Sequence, residues 1–233
     1  MNLSTGPTSQ NILVISPHAD DEAIGCGGYI ALSSAQGAKV TVAVMAAGGV
    51  KHRHLTKAAD FKVRIAELED CCNVLGVSAW QVLFPEMDMN LESLLMRDII
   101  NAFDRILDEG DFDEIYLPQP SHNQDHRITY EAGLASLRPG GRRTAPTLVA
   151  TFEGTVNHWR PQELSTGFLY VDISDVIEQK ITALETYASQ VRPFPHPTSS
   201  SAVRSLASMR GMECGVPYAE RFRIVRMIRR NGQ

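Results

Sequence analysis

The chain has 233 residues, a hydrophobic fraction of 43%, a charged fraction of 21% and a net charge of −5 at pH 7. This length and composition are typical of a soluble globular protein with one domain or at most two small ones. A negative net charge does not favour binding to nucleic acid or to an anionic membrane, so we exclude nucleic acid as a partner. We expect a single domain over residues 1–233.

The cysteines and the N-terminal residues bear on the cellular compartment. Cys26, Cys71, Cys72 and Cys214 form no CxxC pair, and they are interpreted as apolar fillers in a reducing environment. MNLSTGPTSQ has no apolar core of a signal peptide, and no apolar run reaches the length of an integral membrane segment. The sequence therefore predicts a cytoplasmic location.

Short β-branched runs alternate with amphipathic runs along the chain. The predicted elements of the first half are a strand at 11–16, a helix at 22–36, a strand at 39–46, a helix from about 56 to 75, a strand at 80–84 and a helix at 91–107. Those of the second half are strands at 113–118, 147–152 and 168–171, helices at 128–137, 174–190 and 202–213, and a last strand at 222–228. The last strand alternates basic and apolar residues, which favours an edge strand.

This alternation predicts an α/β, Rossmann-like three-layer fold with a mostly parallel sheet and helices on both faces. In such sheets, ligands bind outside the carboxyl ends of the strands, where the strand order reverses. Polar segments follow the first, second and fourth predicted strands, and they contain PHADDE, GGVKHRH and PQPSHNQDHR. The fold would bring these segments to one edge of the sheet.

Two of these segments supply candidate metal ligands. His18 and Asp21 are three residues apart at the turn into a helix, and His126 follows the fourth strand. Catalytic zinc sites use three such ligands and leave a position open for water. Asp20, beside Asp21, is the candidate general base for that water.

The alternative interpretation of PHADDE is a charged helix start in solvent, because a lone HxxD is a weak signal. Glu22 in particular is expected in the first helical turn, where the positive end of the helix dipole favours an acid. The pair of His/Asp segments after two convergent strand ends favours the metal site.

Several motifs together resemble the PIG-L (LmbE-like) zinc-dependent de-N-acetylases. Pro17–Glu22 resembles the P-H-x-D-D-E signature of that family, and Asn123–Arg127 resembles its second metal motif. The remaining agreement lies in the R-x-x-E helix at Arg64–Glu67, in the late helix at Lys180–Gln190 and in Gly215–Phe222. The resemblance thus extends over nearly the whole chain.

The resemblance implies hydrolysis of the N-acetyl group of an N-acetylglucosamine-type glycoside or glycoconjugate by a water molecule that Zn²⁺ activates. It implies that His18, Asp21 and His126 are the zinc ligands and that Asp20 is the general base. Asp125 would orient a neighbouring histidine or the metal ligand itself. Arg64 would face the substrate.

One position departs from the family pattern. Many members have a histidine two residues before the aspartate of the second motif, whereas this chain has Asn123 there and His122 one residue earlier. We place both near the substrate. Asn123 can donate a hydrogen bond but cannot act as an acid, so Asp20, His122 and His196 are all candidates for the proton that the leaving amine needs.

Two other functions remain open from the sequence. The first is an amidase that cleaves a sugar–amino acid thiol conjugate, and the second is a non-catalytic sugar- or nucleotide-binding module. A compact member of this fold is also expected to form a homo-oligomer in which loops complete a neighbour's pocket.

Overall fold

The computed structural model describes residues 10–48, 60–85, 87, 90–139, 144–155 and 167–229. Its sheet has seven strands: β1 Asn11–His18, β2 Lys39–Ala46, β3 Ala79–Val82, β4 Glu114–Pro118, β5 Leu148–Phe152, β6 Phe168–Asp172 and β7 Ala219–Met227. The strand order is β3-β2-β1-β4-β5-β7-β6. Strands β1 to β5 are parallel, and β7 is antiparallel to β5 and β6.

Helices cover both faces of this sheet, which confirms the predicted Rossmann-like three-layer fold. They are α1 Asp21–Ala35, α2 Phe61–Leu75, α3 Met96–Glu109, α4 Gln124–Ser136, α5 Ile177–Glu185 and α6 Ser200–Cys214. Helices α1, α2, α5 and α6 pack on one face, and α3 and α4 pack on the other. Short 3₁₀ turns at Leu91–Ser93 and Ser174–Val176 precede α3 and α5.

Strand β1 contributes to two separate cores. Ile12 and Val14 pack with the helices of the first face, whereas Leu13 and Ile15 pack with α3 and α4. Successive side chains of a strand point to opposite faces, so a strand between two helical layers must be apolar on both sides. This requirement explains why NILVI is an uninterrupted apolar run.

Several predicted helix boundaries are wrong, and capping explains one of them. Helix α4 begins at Gln124 rather than at 128, because the side chain of Asn123 accepts a hydrogen bond from the backbone N–H of Asp125. Helix α2 begins at Phe61, where Asp60 is the N-cap, and the predicted start at 56–59 lies outside the described residues. The predicted helix at 91–107 is a 3₁₀ turn followed by α3, and the one at 174–190 ends at Glu185.

The prediction of an edge position for the last strand is also wrong, because β7 lies between β5 and β6. Its basic side chains are covered rather than solvated. The Nη2 atom of Arg221 lies 2.9 Å from Oε2 of Glu153, and the guanidinium of Arg223 lies over the ring of Tyr130. Ion pairing and stacking thus make a charged, alternating strand compatible with the sheet interior.

Helix α1 is tied to β7 and α5 through a buried ion pair. The carboxylate of Glu220 accepts hydrogen bonds from the backbone N–H groups of Gly28 and Tyr29, each at 2.8 Å. The Nζ atom of Lys180 lies 2.5 Å from Oε1 of Glu220 and donates to the carbonyl of Ile24 at 2.6 Å. Side chains from two other elements therefore satisfy backbone groups in the middle of α1.

The described residues contain no helix long and apolar enough to cross a membrane. The four cysteines are free thiols, and Cys26, Cys71 and Cys72 are buried. Their burial is consistent with the expectation that they fill apolar space.

We expect Glu220→Gln to lower the free energy of unfolding by about 3–5 kcal/mol, because it leaves the ammonium of Lys180 buried without its counter-ion. Urea denaturation of the purified variant measures this change. Glu178→Gln is the matched control, since Glu178 forms an exposed ion pair with Arg204 and should have little effect. Equal stability of the two variants would contradict the assignment of Glu220 as a structural anchor.

Candidate metal centre

The candidate site lies where the strand order reverses. Strands β1 and β4 are parallel neighbours, although two strands and three helices separate them in the chain. His18 is the last residue of β1, and Asp21 is the first residue of α1. Asp125 and His126 lie in the first turn of α4, which follows β4. The carboxyl ends of the two strands thus bring both predicted motifs together.

Three predicted metal ligands form one compact cluster. One ligand atom each from His18, Asp21 and His126 lies within 4.8 Å of the other two. The Oδ2 atom of Asp21 lies 3.1 Å from Nδ1 of His18 and 3.2 Å from Nε2 of His126. Two imidazole nitrogens and one carboxylate oxygen are a ligand set that suits zinc and other divalent transition metals. The residues present therefore fit a metal ion of this class.

Asp125 holds the far side of the His18 ring. Its Oδ2 atom lies 3.1 Å from Nε2 of His18, and its Oδ1 atom accepts a hydrogen bond from the backbone N–H of Leu91 at 3.1 Å. Asp125 is fully buried, so it cannot contact a substrate in this arrangement. A carboxylate on the outer nitrogen of a metal-binding histidine fixes the tautomer and the ring orientation. The resemblance implied that Asp125 orients either a neighbouring histidine or the adjacent ligand, and the geometry favours the neighbouring histidine, His18.

The charges around His18 and Asp21 favour their ionised forms in the absence of metal. Burial lowers the pKa of His18, but hydrogen bonds with Asp125 and Asp21 outweigh it and raise the pKa from 6.5 to about 9. For Asp21, burial raises the pKa, but the charge of His126 and the hydrogen bonds with His126 and His18 outweigh it and lower the pKa. Metal binding must therefore displace a proton from His18 at neutral pH.

Asp20 has an unusual backbone between these ligands. Its φ of 135° is positive, and no other non-glycine residue in the described part of the chain has a positive φ. L-residues rarely adopt this region, and holding one there costs about 1–3 kcal/mol. Burial and the neighbouring charge of Asp21 raise the pKa of the Asp20 carboxyl group. Such strain and pKa perturbation are concentrated at functional sites in proteins.

Glu22 has a larger part in the site than its sequence position suggested. It lies in the first turn of α1, as expected, but it is fully buried. Its Oε2 atom accepts a hydrogen bond from the backbone N–H of Asp20 at 3.2 Å and lies 3.1 Å from Oγ of Ser16. Its Oε1 atom accepts a hydrogen bond from the hydroxyl of Tyr187. The sequence analysis did not predict this hydrogen-bond network. The presence of Tyr187 in the late-helix motif was the one feature that could have indicated it.

Arg64 contacts the backbone between the predicted ligands His18 and Asp21. Its side chain is 6% exposed, and its Nη2 atom donates to the carbonyl oxygen of Ala19 at 2.7 Å. Its Nε atom is buried without a hydrogen-bond partner in the described part of the chain. The contact that the structure provides is therefore with the protein backbone, and the expected contact with substrate stays a prediction.

The two other predicted substrate contacts lie at the start of α4. Asn123 uses its side-chain oxygen to cap the helix, so only its amide NH₂ group is available to a ligand. His122 is exposed, and Arg127 holds its carbonyl oxygen with a hydrogen bond of 2.8 Å. His196, the third candidate acid, is exposed in a loop, with Nδ1 2.8 Å from Oγ1 of Thr198. The roles of His122 and Asn123 stay predictions.

We expect the affinity for zinc or cobalt to rise by at least about tenfold per pH unit between about pH 6 and pH 8, because the metal competes with a proton on His18. Isothermal titration in buffers with different ionisation enthalpies should show release of this proton. His18→Ala should abolish binding, whereas His196→Ala should leave the affinity and its pH dependence unchanged. If the affinity does not change with pH, His18 does not have to lose a proton when the metal binds.

Comparisons with known proteins find relatives of this chain. The family model described as PIG-L: GlcNAc-PI de-N-acetylase matches residues 13–137, which is over half of the chain and includes both PHADDE and NQDHR. A probable N-acetyl-alpha-D-glucosaminyl L-malate deacetylase 2 from Bacillus cereus is 27% identical over 190 residues, which cover 78% of this chain and 84% of the relative.

Solved structures share the architecture. The N,N'-diacetylchitobiose deacetylase from Pyrococcus horikoshii has a TM-score of 0.77 at 25% identity. The matched region covers 94% of this chain and 84% of the deacetylase. The 4-carboxy-2-hydroxymuconate hydratase from Pseudomonas putida has a TM-score of 0.76 at 19% identity, and the matched region covers 96% of this chain and 99% of the hydratase. At this identity the similarity shows the fold alone. On the family match and the motifs that lie within it, this chain belongs to the PIG-L family, as PHADDE and NQDHR predicted.

Proposed function

We propose that this protein is a zinc-dependent hydrolase that removes the N-acetyl group from an N-acetylglucosamine-type amino sugar. The observation that carries the proposal is the cluster of His18, Asp21 and His126 with Asp20 beside it, in a chain of the PIG-L family. The Bacillus and Pyrococcus relatives support it, since the names of both describe deacetylases of N-acetylated sugars. The substrate is a glycoside or a glycoconjugate of this chemical type.

In this proposal, His18, Asp21 and His126 hold the ion, and Asp125 keeps the His18 ring in position. A zinc ion bound there would polarise the amide carbonyl and lower the pKa of the water that attacks it. Asp20 removes the proton from that water. The amide C–N bond then breaks, acetate leaves, and the nitrogen must gain a proton to become a free amine.

The proton balance favours Asp20 as the group that returns this proton. The amine needs one proton, and Asp20 has accepted one in the preceding step. Asn123 has no acidic proton, and His122 and His196 are exposed rather than buried beside the ligands. We therefore propose that Asp20 acts first as base and then as acid, with His122 and Asn123 in contact with the sugar.

The environment of Asp20 suits both roles. Burial and the charge of Asp21 raise its pKa, whereas a bound divalent cation would lower it. These opposing effects place the group between a fully ionised surface carboxylate and a buried neutral acid. A group that both takes and gives a proton works best when its pKa is near the operating pH.

The fold alone does not determine the reaction, because a hydratase has it too. Two rival functions therefore need a direct test. Release of acetate from N-acetylglucosamine glycosides would support the deacetylase, whereas release of a cysteine-type fragment from a sugar–amino acid conjugate would identify an amidase. A binding module would release neither product, and a chelator would leave its binding of sugars or nucleotides unchanged.

We expect Asp20→Asn to lower acetate release by about 10²- to 10⁴-fold, because the variant cannot take the proton from water. An enzymatic acetate assay with N-acetylglucosamine glycosides measures the rate, and elemental analysis should show unchanged zinc content. Asp98→Asn, on the exposed surface of α3, is the matched control and should keep full activity. Undiminished turnover by Asp20→Asn would refute the base assignment.

Metal removal provides an independent test. Dialysis against a chelator should abolish acetate release, and addition of one equivalent of zinc should restore it, because the chain has no other group in this proposal to polarise the carbonyl. If Asp20 returns the proton, His196→Ala should keep kcat and KM close to those of the unsubstituted protein, whereas His122→Ala should raise KM through the lost sugar contact and change kcat little. A large loss of kcat in either histidine variant would identify that histidine as the acid instead.

A further inference from the structure

We propose that Arg64 and Glu22 are positioning residues that clamp the peptide group between Ala19 and Asp20 and thereby direct the Asp20 side chain. This inference rests on the proposed function, because it concerns the residue that we assign as the base. It gives Arg64 a role different from the substrate contact that the family resemblance implies.

The two side chains hold opposite ends of one peptide group. The carbonyl oxygen of Ala19 accepts a hydrogen bond from Nη2 of Arg64 at 2.7 Å, and the N–H of Asp20 donates to Oε2 of Glu22 at 3.2 Å. The C=O and N–H of a peptide bond lie in one plane and point in opposite directions. A rotation of this plane would break both hydrogen bonds at once.

This plane determines where the carboxylate of Asp20 points. The torsion φ of Asp20 is a rotation about the bond that follows the clamped N–H, and it is held at 135°. His18 ends a central strand and Asp21 begins a helix, so the residues on either side are fixed by regular structure. With both sides fixed, a change of φ is a rotation of the clamped peptide plane, and it would tilt the Cα–Cβ bond of Asp20 and displace the carboxylate while both metal ligands stayed in place.

The clamp residues are themselves buried and held. Glu22 is fully buried, and its second oxygen accepts a hydrogen bond from the hydroxyl of Tyr187. Arg64 is 6% exposed, and its charge lies close enough to Asp20 to lower the pKa of that carboxyl group. Glu22 has no exposed surface and cannot bind a sugar, so it can act on the reaction only through its contacts with the protein. Its hydrogen bond with the backbone N–H of Asp20 is its contact with the proposed base.

The geometry also explains why the strain at Asp20 persists. A positive φ at a non-glycine residue survives only where the surroundings over-determine it. Charged groups form stronger hydrogen bonds than neutral ones, and here a guanidinium and a carboxylate act on one peptide group. The loss of either partner should let the backbone move toward an ordinary conformation.

The test uses the zinc-loaded protein and the variant Arg64→Ala. The clamp predicts that a crystal structure of the variant shows Asp20 with φ outside the left-handed region, with His18, Asp21 and His126 still on the metal. It also predicts that kcat for acetate release falls by about 100-fold, as for a misplaced catalytic group. The KM should stay within about twofold, because no substrate contact is lost.

Two further variants complete the experiment. Lys62→Ala, on the exposed side of the same helix, should change neither φ nor kcat. Glu22→Leu has a side chain of similar size with no acceptor for the N–H of Asp20, so it should lower kcat with zinc retained. If Arg64→Ala fails to fold, Glu22→Leu provides the same two measurements.

The experiment distinguishes a failure of the proposed function from a failure of the clamp. If the unsubstituted protein releases no acetate from any N-acetylated sugar, the proposed function fails, whereas the crystallographic φ of Asp20 still tests the clamp. An unchanged φ in both variants would overturn the clamp even if activity fell. A raised KM with an unchanged kcat in Arg64→Ala would overturn it too and would return Arg64 to the substrate.

Discussion

The parallel pairing of β1 with β4 is the contact on which the site depends. The register places Ile12, Leu13 and Val14 beside Glu114, Ile115 and Tyr116, so the two strands end at the same edge of the sheet. The residues that follow them are more than 100 positions apart in the chain, yet Asp125 reaches the ring of His18. Apolar burial on both faces of β1 supplies the energy that holds this pairing.

Around that contact, the protein has to accommodate several carboxylates away from water. Burial of a charge is unfavourable unless hydrogen bonds or an opposite charge compensate it. Asp125 has a backbone N–H and an imidazole as partners, and Glu22 has a tyrosine hydroxyl and a backbone N–H. Asp21 lies against two imidazoles. Asp21, Glu22 and Asp125 therefore have different sets of partners, which gives neighbouring residues of one type separate roles.

Local sequence patterns were sufficient for the fold class, which follows from the alternation of strands and helices, and for the proximity of His18, Asp21 and His126, which follows from the convergence of strand ends. The NILVI run predicted β1, and the structure confirms the α/β sheet. The start of α4 was placed too late because Gln124–Arg127 has no apolar residue, and a side-chain cap rather than periodicity begins that helix. The interior position of β7 was missed because its alternation is typical of an edge, and only tertiary contacts supply the partners of Arg221 and Arg223.

The position of β7 has a consequence for how the chain reaches this structure. Strand β6 pairs only with β7 among the described strands, and β7 also pairs with β5. During synthesis, β5 therefore emerges with one edge unpaired and remains so until residues 219–227 follow. An unpaired edge is a template for association with another chain, so this interval is when the nascent protein is most exposed to aggregation. A chaperone that shields the β5 edge would act before helix α1 gains its hydrogen bonds with Glu220.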